Sequence, residues 1–123
     1  MPDALSHILV IDDNEEILVG LSILLIRKAF KVSTKSKMNN FEKEVKCLSP
    51  DLILPDKNLG WADGCDLCKS LKTNGELFNI PVIMISAYYR KREECLKAGA
   101  NNFLEKPFEF KTLLTMIDTL QKF

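Results

Sequence analysis

Short apolar runs alternate with amphipathic stretches along the chain, and this alternation predicts the order of its elements. Continuous apolar runs at residues 7–11, 52–54 and 80–85 are typical of strands that are buried on both faces. Residues 31–35 are polar and lysine-rich, and residues 102–105 are short, so both are predicted to be strands at the edges of a sheet. Apolar residues between these strands recur three or four positions apart, which predicts helices.

The predicted helices cover about residues 14–30, 39–48, 63–73 and 90–98, and the last runs from about residue 109 nearly to the end. The first opens with Asp13-Asn-Glu-Glu16, which reads as a capping box with acidic side chains suited to a helix N-terminus. Strand and helix therefore alternate about five times.

This alternation predicts an α/β fold, a doubly wound five-stranded parallel sheet with helices on both faces. With the three most apolar strands at the centre, the spatial order is 2-1-3-4-5, the flavodoxin-like arrangement. We expect one domain over residues 1–123, with no internal repeat or linker and no room for a helix-turn-helix output module.

Composition narrows the function classes. Lys plus Arg and Asp plus Glu both number 17, so a surface for direct nucleic-acid binding is not expected as the main function. No apolar run approaches membrane-spanning length, and the N-terminus lacks a basic start followed by an apolar segment, so we expect a cytoplasmic protein without membrane contact.

The four cysteines are expected to be reduced thiols in that compartment. Cys65 and Cys68 form a C-x-x-C pair, but this pair lies inside a predicted helix without a second Cys or His pair. We therefore interpret both as inert.

Polar residues follow four of the predicted strands at their carboxyl ends: Asp12 and Asp13, then Asp56, Ser86 and Lys106. The topology brings these ends together. Three carboxylates suit a hard divalent cation such as Mg²⁺, and a hydroxyl and an ammonium beside them suit an added phosphoryl group. The pattern indicates phosphoryl transfer onto a carboxylate, with Asp56 as the nucleophile and Ser86 and Lys106 holding the outer oxygens.

The chain resembles the receiver (CheY-like) domain of two-component response regulators over essentially its whole length. The matching segments, in chain order, are Ile8-Leu-Val-Ile-Asp-Asp-Asn14, Pro50-Asp-Leu-Ile-Leu, Asp56, Asp63-Gly64, Pro81-Val-Ile-Met-Ile-Ser-Ala87, Gly99-Ala100 and Phe103-Leu-Glu-Lys-Pro-Phe108. Each segment alone is weak, but the ordered set is highly specific.

The resemblance implies a role for each residue at the strand ends. Asp56 would accept a phosphoryl group from a sensor histidine kinase or phosphotransfer protein, and Mg²⁺ would be the cofactor. The implied metal ligands are Asp12, Asp13, Asp56 and the backbone carbonyl of Asn58. The implied switch residues are Ser86 and Phe103, while Lys106 would contact the phosphoryl group and precede a cis peptide bond to Pro107.

The same resemblance implies a bacterial signalling module and not a metabolic enzyme, with catalysis limited to self-phosphorylation and slow self-dephosphorylation. Phosphorylation would switch the face built from helix 4, strand 5 and helix 5. That face would act on an output domain or a downstream protein, and homodimerisation on activation is a further hypothesis.

The sequence departs from the family pattern in four places. Pro55 precedes Asp56 and must cost the third strand one hydrogen bond to a neighbour. Trp61 is an unexpected bulky residue in the loop after Asp56, the stretch between Ser86 and Gly99 is short, and the region of the second strand is unusually basic.

Three alternatives follow from the residues. A pseudo-receiver, which would be a protein-interaction module that does not respond to phosphate, has its best support in Pro55 and Trp61, while the retained acidic residues, Ser86 and Lys106 speak against it. A small phosphatase with an aspartate nucleophile usually has a second acid two residues on, where this chain has Asn58. A nucleotide-binding α/β domain would need a glycine-rich loop after the first strand, and none is present.

Overall fold

The computed structural model describes residues 7–120. Its five strands are His7–Ile11 (β1), Lys31–Lys35 (β2), Leu52–Pro55 (β3), Ile83–Ser86 (β4) and Asn102–Glu105 (β5). Its α-helices are Glu15–Arg27 (α1), Phe41–Leu48 (α2), Gly64–Lys72 (α3), Arg92–Lys97 (α4) and Phe110–Leu120 (α5), and a 3₁₀ turn, Tyr89–Lys91, precedes α4.

All strand pairs within the two ladders are parallel. One ladder has the order β2-β1-β3 and the other joins β4 to β5. Two isolated parallel bridges, Ile53 with Val82 and Asp56 with Ile85, connect β3 to β4. The spatial order is therefore 2-1-3-4-5, and the α/β class predicted from the alternating pattern is confirmed.

The break between the two ladders lies at Pro55. The backbone N–H of Ile53 donates to the Pro81 carbonyl at 3.1 Å, and that of Lys57 donates to the Ile85 carbonyl at 2.8 Å. Residues alternate in the direction of their N–H groups along a strand, so residue 55 is the one that would donate to Ile83. Proline has no N–H, and the expected loss of one ladder bond therefore falls between β3 and β4.

Side chains alternate between two apolar cores, one on each face of the sheet. Leu52 and Leu54 of β3 pack on the side that holds the buried residues of α1 and α5. Ile53 points to the other side, which holds the buried residues of α2, α3 and α4. Helices thus cover both faces, as the sequence predicts, and the strand ends project polar residues beyond these cores.

Several predicted boundaries differ from the structure. Asn14, not Asp13, caps α1, because its side chain accepts the N–H groups of Glu16 and Ile17. The first helix ends at Arg27, earlier than predicted, and β4 begins only at Ile83. Among residues 7–120, no helix has the length and apolar content needed to cross a bilayer.

Candidate functional site

Three carboxylates meet at the carboxyl ends of β1 and β3. The backbone places them together, because the N–H of Asp56 donates to the carbonyl of Ile11 at 2.9 Å across the ladder. One carboxylate oxygen from each of Asp12, Asp13 and Asp56 lies within 4.8 Å of the others. Asp12 and Asp56 are almost buried, with 3% and 9% of their surface exposed, while Asp13 is exposed.

Lys106 enters the same group of side chains from the end of β5. Its Nζ donates to Asp12 Oδ2 at 2.9 Å and to Asp56 Oδ2 at 3.2 Å. The peptide bond between Lys106 and Pro107 is cis, as the resemblance implies. We call Asp12, Asp13, Asp56 and Lys106 the acidic pocket, because one ammonium faces three carboxylates and leaves a net charge of −2 (3 minus 1).

This excess of negative charge has electrostatic consequences. Burial raises the pKa of Asp56, the nearby Asp12 carboxylate raises it further, and Lys106 only partly offsets both. Burial alone would disfavour the Lys106 ammonium, but its hydrogen bond to Asp12 and its attraction to Asp56 hold the pKa of Lys106 above its ordinary value. An additional cation would therefore be stabilised in the pocket.

The backbone around the pocket leaves Asp13 free for another role. The Asp12 Oδ1 atom accepts the N–H of Asn14 at 2.9 Å, and Asn14 itself caps α1. Gly60 approaches from the β3–α3 loop with a φ of +76°, and a Cβ there would lie 3.4 Å from Asp13 Oδ2. Asp13 is thus neither the helix cap nor shielded by a side chain at position 60.

Asn58 follows Asp56 in the same loop, and its backbone N–H faces Asp56 Oδ1 at 3.4 Å. The donor set of the acidic pocket consists of hard carboxylate oxygens. Mg²⁺ prefers such ligands, usually one or two carboxylates with the rest of its shell as water or phosphate oxygens. The residues present therefore fit a Mg²⁺ ion.

The two predicted switch residues lie on β4 and β5, the strands beyond β3. Ser86 is fully buried at the end of β4, and its Oγ accepts the N–H of Tyr88 at 3.0 Å. Phe103 is buried on β5 and meets the exposed ring of Tyr89 edge-on, with ring centroids 6.2 Å apart. An inward Phe103 therefore packs under the turn that begins α4.

A second group of charged side chains, which the sequence analysis did not predict, lies directly beside the acidic pocket. Lys57 has only 4% of its surface exposed, and its Nζ lies 2.8 Å from Asp63 Oδ2 and 3.3 Å from Glu94 Oε2. We call Lys57, Asp63 and Glu94 the Lys57 cluster. One signal in the sequence was available. Residue 57 follows buried Ile53 by four positions, and side chains an even number of positions apart along a strand share a face, so Lys57 is expected on the same buried face.

The Lys57 cluster joins the loop after Asp56 to two helices. Asp63 caps α3 through the N–H of Cys65 at 2.8 Å, and Glu94 belongs to α4. Burial opposes the Asp63 carboxylate, but the Lys57 ammonium and this N–H outweigh it and hold the pKa of Asp63 below its ordinary value. The contacts of Asp63 and Glu94 raise the pKa of Lys57 despite its burial.

Two further residues fix this loop. A Cβ on Gly64 would lie 2.6 Å from the Asp56 carbonyl oxygen and 2.9 Å from both Lys57 Cα and Met84 Sδ, so only glycine lets α3 begin this close to β3. Trp61 is half-buried, and its Nε1 donates to the Ser36 carbonyl at 2.8 Å. Trp61 thus tethers the loop to the segment after β2.

Comparison with known proteins identifies the family. The profile described as the response regulator receiver domain matches residues 8–118. The chain belongs to this family. It is a receiver domain of two-component response regulators, as the ordered motifs of the sequence predict.

Curated relatives agree. The chain is 32% identical over 116 residues to the heme response regulator HssR of Staphylococcus saprophyticus, covering 93% of this chain and 50% of the relative. It is 34% identical over 116 residues to protein PetR of Rhodobacter capsulatus, covering 93% and 48%. The chain therefore spans about half the length of these relatives.

Solved structures share the fold. The signal receiver domain of a DNA-binding response regulator from Colwellia psychrerythraea has a TM-score of 0.86 at 23% identity, covering 94% of this chain and 97% of that one. The chemotaxis protein CheY4 of Vibrio cholerae has a TM-score of 0.83 at 23% identity, covering 95% and 99%. Both are similar to this receiver domain in the CheY-like architecture.

Proposed function

We propose that this receiver domain accepts a phosphoryl group on Asp56 and switches its surface in response. The observation that carries the proposal is the acidic pocket, in which a nearly buried Asp56 contacts the Lys106 ammonium at 3.2 Å and lies beside Asp12 and Asp13. A carboxylate with unbalanced negative neighbours and one fixed cation suits attack on a phosphoryl donor whose charge a cation offsets.

In this proposal each residue of the pocket has a distinct task. Asp12, Asp13, Asp56 and the backbone carbonyl of Asn58 would hold Mg²⁺, which when bound offsets the negative charge of the incoming phosphoryl group. Asp56 supplies the attacking oxygen. Lys106, already aimed at Asp56 Oδ2, would retain its charge and hold a phosphoryl oxygen after transfer.

The switch would pass through β4 and β5. Ser86 places its hydroxyl at the carboxyl end of β4, where its Oγ accepts the Tyr88 N–H at 3.0 Å. Donation of that hydroxyl to a phosphoryl oxygen would draw the start of the β4–α4 segment toward Asp56. Phe103, packed against Tyr89, would then move with the face formed by α4, β5 and α5.

The wider biology is also part of the proposal. A sensor histidine kinase or a phosphotransfer protein would be the donor in the cytoplasm, and an output domain or a downstream protein would respond to the switched face. Self-association on activation would use the same face. The domain's own catalysis would be limited to accepting the phosphoryl group and slowly releasing it.

The direct test is the intact mass of the full chain after incubation with a small acyl phosphate and Mg²⁺. One phosphoryl adduct that requires Mg²⁺ and is absent from Asp56→Asn is expected. Asp63→Asn is the matched control, because Asp63 belongs to the Lys57 cluster, and it should keep the adduct. A folded protein that forms no adduct would favour the pseudo-receiver, a module that binds partners without phosphorylation.

A further inference from the structure

A buried pair of thiols lies directly beneath the Lys57 cluster. Cys65 is in the first turn of α3 and Cys95 is in α4, and 30 positions separate them in the chain. Their Sγ atoms are 3.4 Å apart, and 3% and 0% of their residue surfaces are exposed. The thiol that contacts Cys65 therefore belongs to another helix, and is not Cys68, which the C-x-x-C spacing would suggest.

The two sulfurs are in direct non-bonded contact, and both thiols are free. A disulfide needs an S–S distance of about 2.05 Å, so the sulfurs must approach by about 1.4 Å, which side-chain rotation and a small shift of a short helix can supply. The carboxylates of Asp63 and Glu94 also lie near Cys65, but the Lys57 ammonium already contacts both. A divalent metal at that position would face this ammonium, which disfavours a metal site.

We propose that Cys65 and Cys95 form a reversible disulfide under oxidation, and that this bond holds α4 against α3 and slows the response of Asp56. The first part rests on the thiol geometry alone. The second rests on the proposed function and on the path from the thiols to the pocket, since Glu94 precedes Cys95 and binds Lys57, which follows Asp56.

The oxidation balances with hydrogen peroxide as the oxidant. One thiolate sulfur attacks a peroxide oxygen and breaks the O–O bond, which gives a sulfenic acid and, after protonation, one water. The second thiol attacks the sulfenic sulfur and releases a second water as the S–S bond forms. Two thiols and one peroxide thus become one disulfide and two waters, and a dithiol reductant reverses the change.

Burial raises the pKa of Cys65 and of Cys95, and it also raises that of Cys68. Thiolates are therefore scarce at neutral pH, and the oxidant must gain access through local opening. The element that would open is α4, which has six residues and no side-chain cap. The rate of oxidation should accordingly rise with pH from neutral to mildly alkaline conditions.

The linkage is tested on the reduced full chain treated with hydrogen peroxide, then unfolded and alkylated. Two of the four cysteines should escape alkylation, and trypsin should yield one reducible species that joins residues 58–69 to residues 93–97. Because Cys65 and Cys68 share the first peptide, Cys68→Ala is run in parallel and should keep the link. Cys47→Ser, a change at an exposed thiol, is the matched control and should also keep it. A link that uses Cys68 or Cys47 instead, or a Cys95 that remains alkylatable, would overturn the proposal.

The restraint on α4 is tested by amide hydrogen exchange, which does not depend on phosphorylation. Oxidised protein should exchange the amides of α4 at least about tenfold more slowly than reduced protein, because the bond suppresses local opening. Cys95→Ala should show no effect of peroxide. Equal exchange in linked and reduced protein would refute the restraint.

The effect on the response uses the acyl phosphate assay. Linked protein should be phosphorylated at least about threefold more slowly, since the switch requires the β4–α4 segment to move, and a dithiol reductant should restore the rate. An unchanged rate would refute this part. If reduced protein forms no adduct at all, the proposed function fails, while the peptide map and the exchange rates still decide the disulfide.

Discussion

The acidic pocket and the Lys57 cluster begin at neighbouring residues, Asp56 and Lys57, yet they differ in how their charge is balanced. In the acidic pocket the pKa of Asp56 is raised, because burial and Asp12 outweigh Lys106. In the Lys57 cluster the pKa of Asp63 is lowered, because the ammonium and a backbone N–H outweigh burial. The first group is left able to take a cation, and the second is a completed structural contact.

Strand geometry produces this difference. Successive side chains of a strand point to opposite faces, so Asp56 turns toward β1 and Lys106 while Lys57 turns toward α3 and α4. Similar charged groups therefore leave an excess of negative charge on one side and join the loop to two helices on the other. Four experiments separate the two roles, and they follow in order of the expected effect.

Lys57→Met should lower the free energy of unfolding by about 2 kcal/mol. Breaking a buried ion pair costs more than this, but Asp63 and Glu94 are 38% and 50% exposed and regain water. Urea denaturation measures the change. Lys91→Met is the matched control, because Lys91 pairs with the same Glu94 at the surface and should cost under about 0.5 kcal/mol. Equal losses of unfolding free energy in the two variants would show that the burial of Lys57 does not strengthen its ion pairs.

Gly64→Ala should destabilise the chain by up to about 2 kcal/mol, because the new methyl group would overlap the backbone of Asp56 and Lys57 at the junction of the two groups. Thermal unfolding provides the readout. Gly20→Ala is the contrasting variant, since nothing lies within 4 Å of its Cβ position in α1, and it should stabilise the helix by about 0.5–1 kcal/mol. A neutral Gly64→Ala would mean that α3 can begin farther from β3.

Asp13→Asn should weaken Mg²⁺ binding at least about tenfold, or about 1.4 kcal/mol, because it removes one of three converging carboxylates. Calorimetric titration or the Mg²⁺-dependent rise in Tm measures the affinity. Asp63→Asn should leave it unchanged. Loss of affinity in both variants would mean that the two groups are not electrostatically separate.

The smallest effect is expected from pH. The pKa of Asp63 is below its ordinary value of 3.8, so the stability it contributes is present above that value and is lost as pH falls through the folded-state pKa. The pKa of Asp56 is above 3.8, so protonation relieves repulsion and favours the folded state as pH falls from the raised pKa toward 3.8. Carboxyl NMR titration in metal-free buffer should therefore place the two midpoints on opposite sides of 3.8. Midpoints on the same side would remove the contrast.

Much of the fold was predictable because its signals are local. The apolar run at 7–11 and the two predicted edge strands, 31–35 and 102–105, have the bounds found in the structure for β1, β2 and β5, and the order of motifs indicated the acidic pocket. The cap of α1 was not predictable, because Asp13 and Asn14 are both good caps and only the packing of Asp12 and its neighbours selects Asn14.

Long-range features were also missed. Lysine is almost never fully buried, so the parity of position 57 with Ile53 was not enough to predict a buried Lys57, whose partners lie at the start of α3 and in α4. The proximity of Cys65 to Cys95 likewise depends on how α3 and α4 pack. The late start of β4 follows from two prolines, Pro81 within the predicted strand and Pro55 opposite it, neither of which donates a hydrogen bond.

Because Pro55 has no N–H, one ladder bond is missing and the sheet consists of two unequal leaves, β2-β1-β3 and β4-β5. The three-stranded leaf carries all three carboxylates of the acidic pocket, and the two-stranded leaf carries Ser86, Phe103 and Lys106. The seam between them is held by the backbone on either side of Pro55 and by Lys106, which reaches across it. A phosphoryl group on Asp56 that is also held by Ser86 and Lys106 would connect the two leaves across that seam. In this way the domain would convert a chemical signal into mechanical coupling between two halves of one sheet.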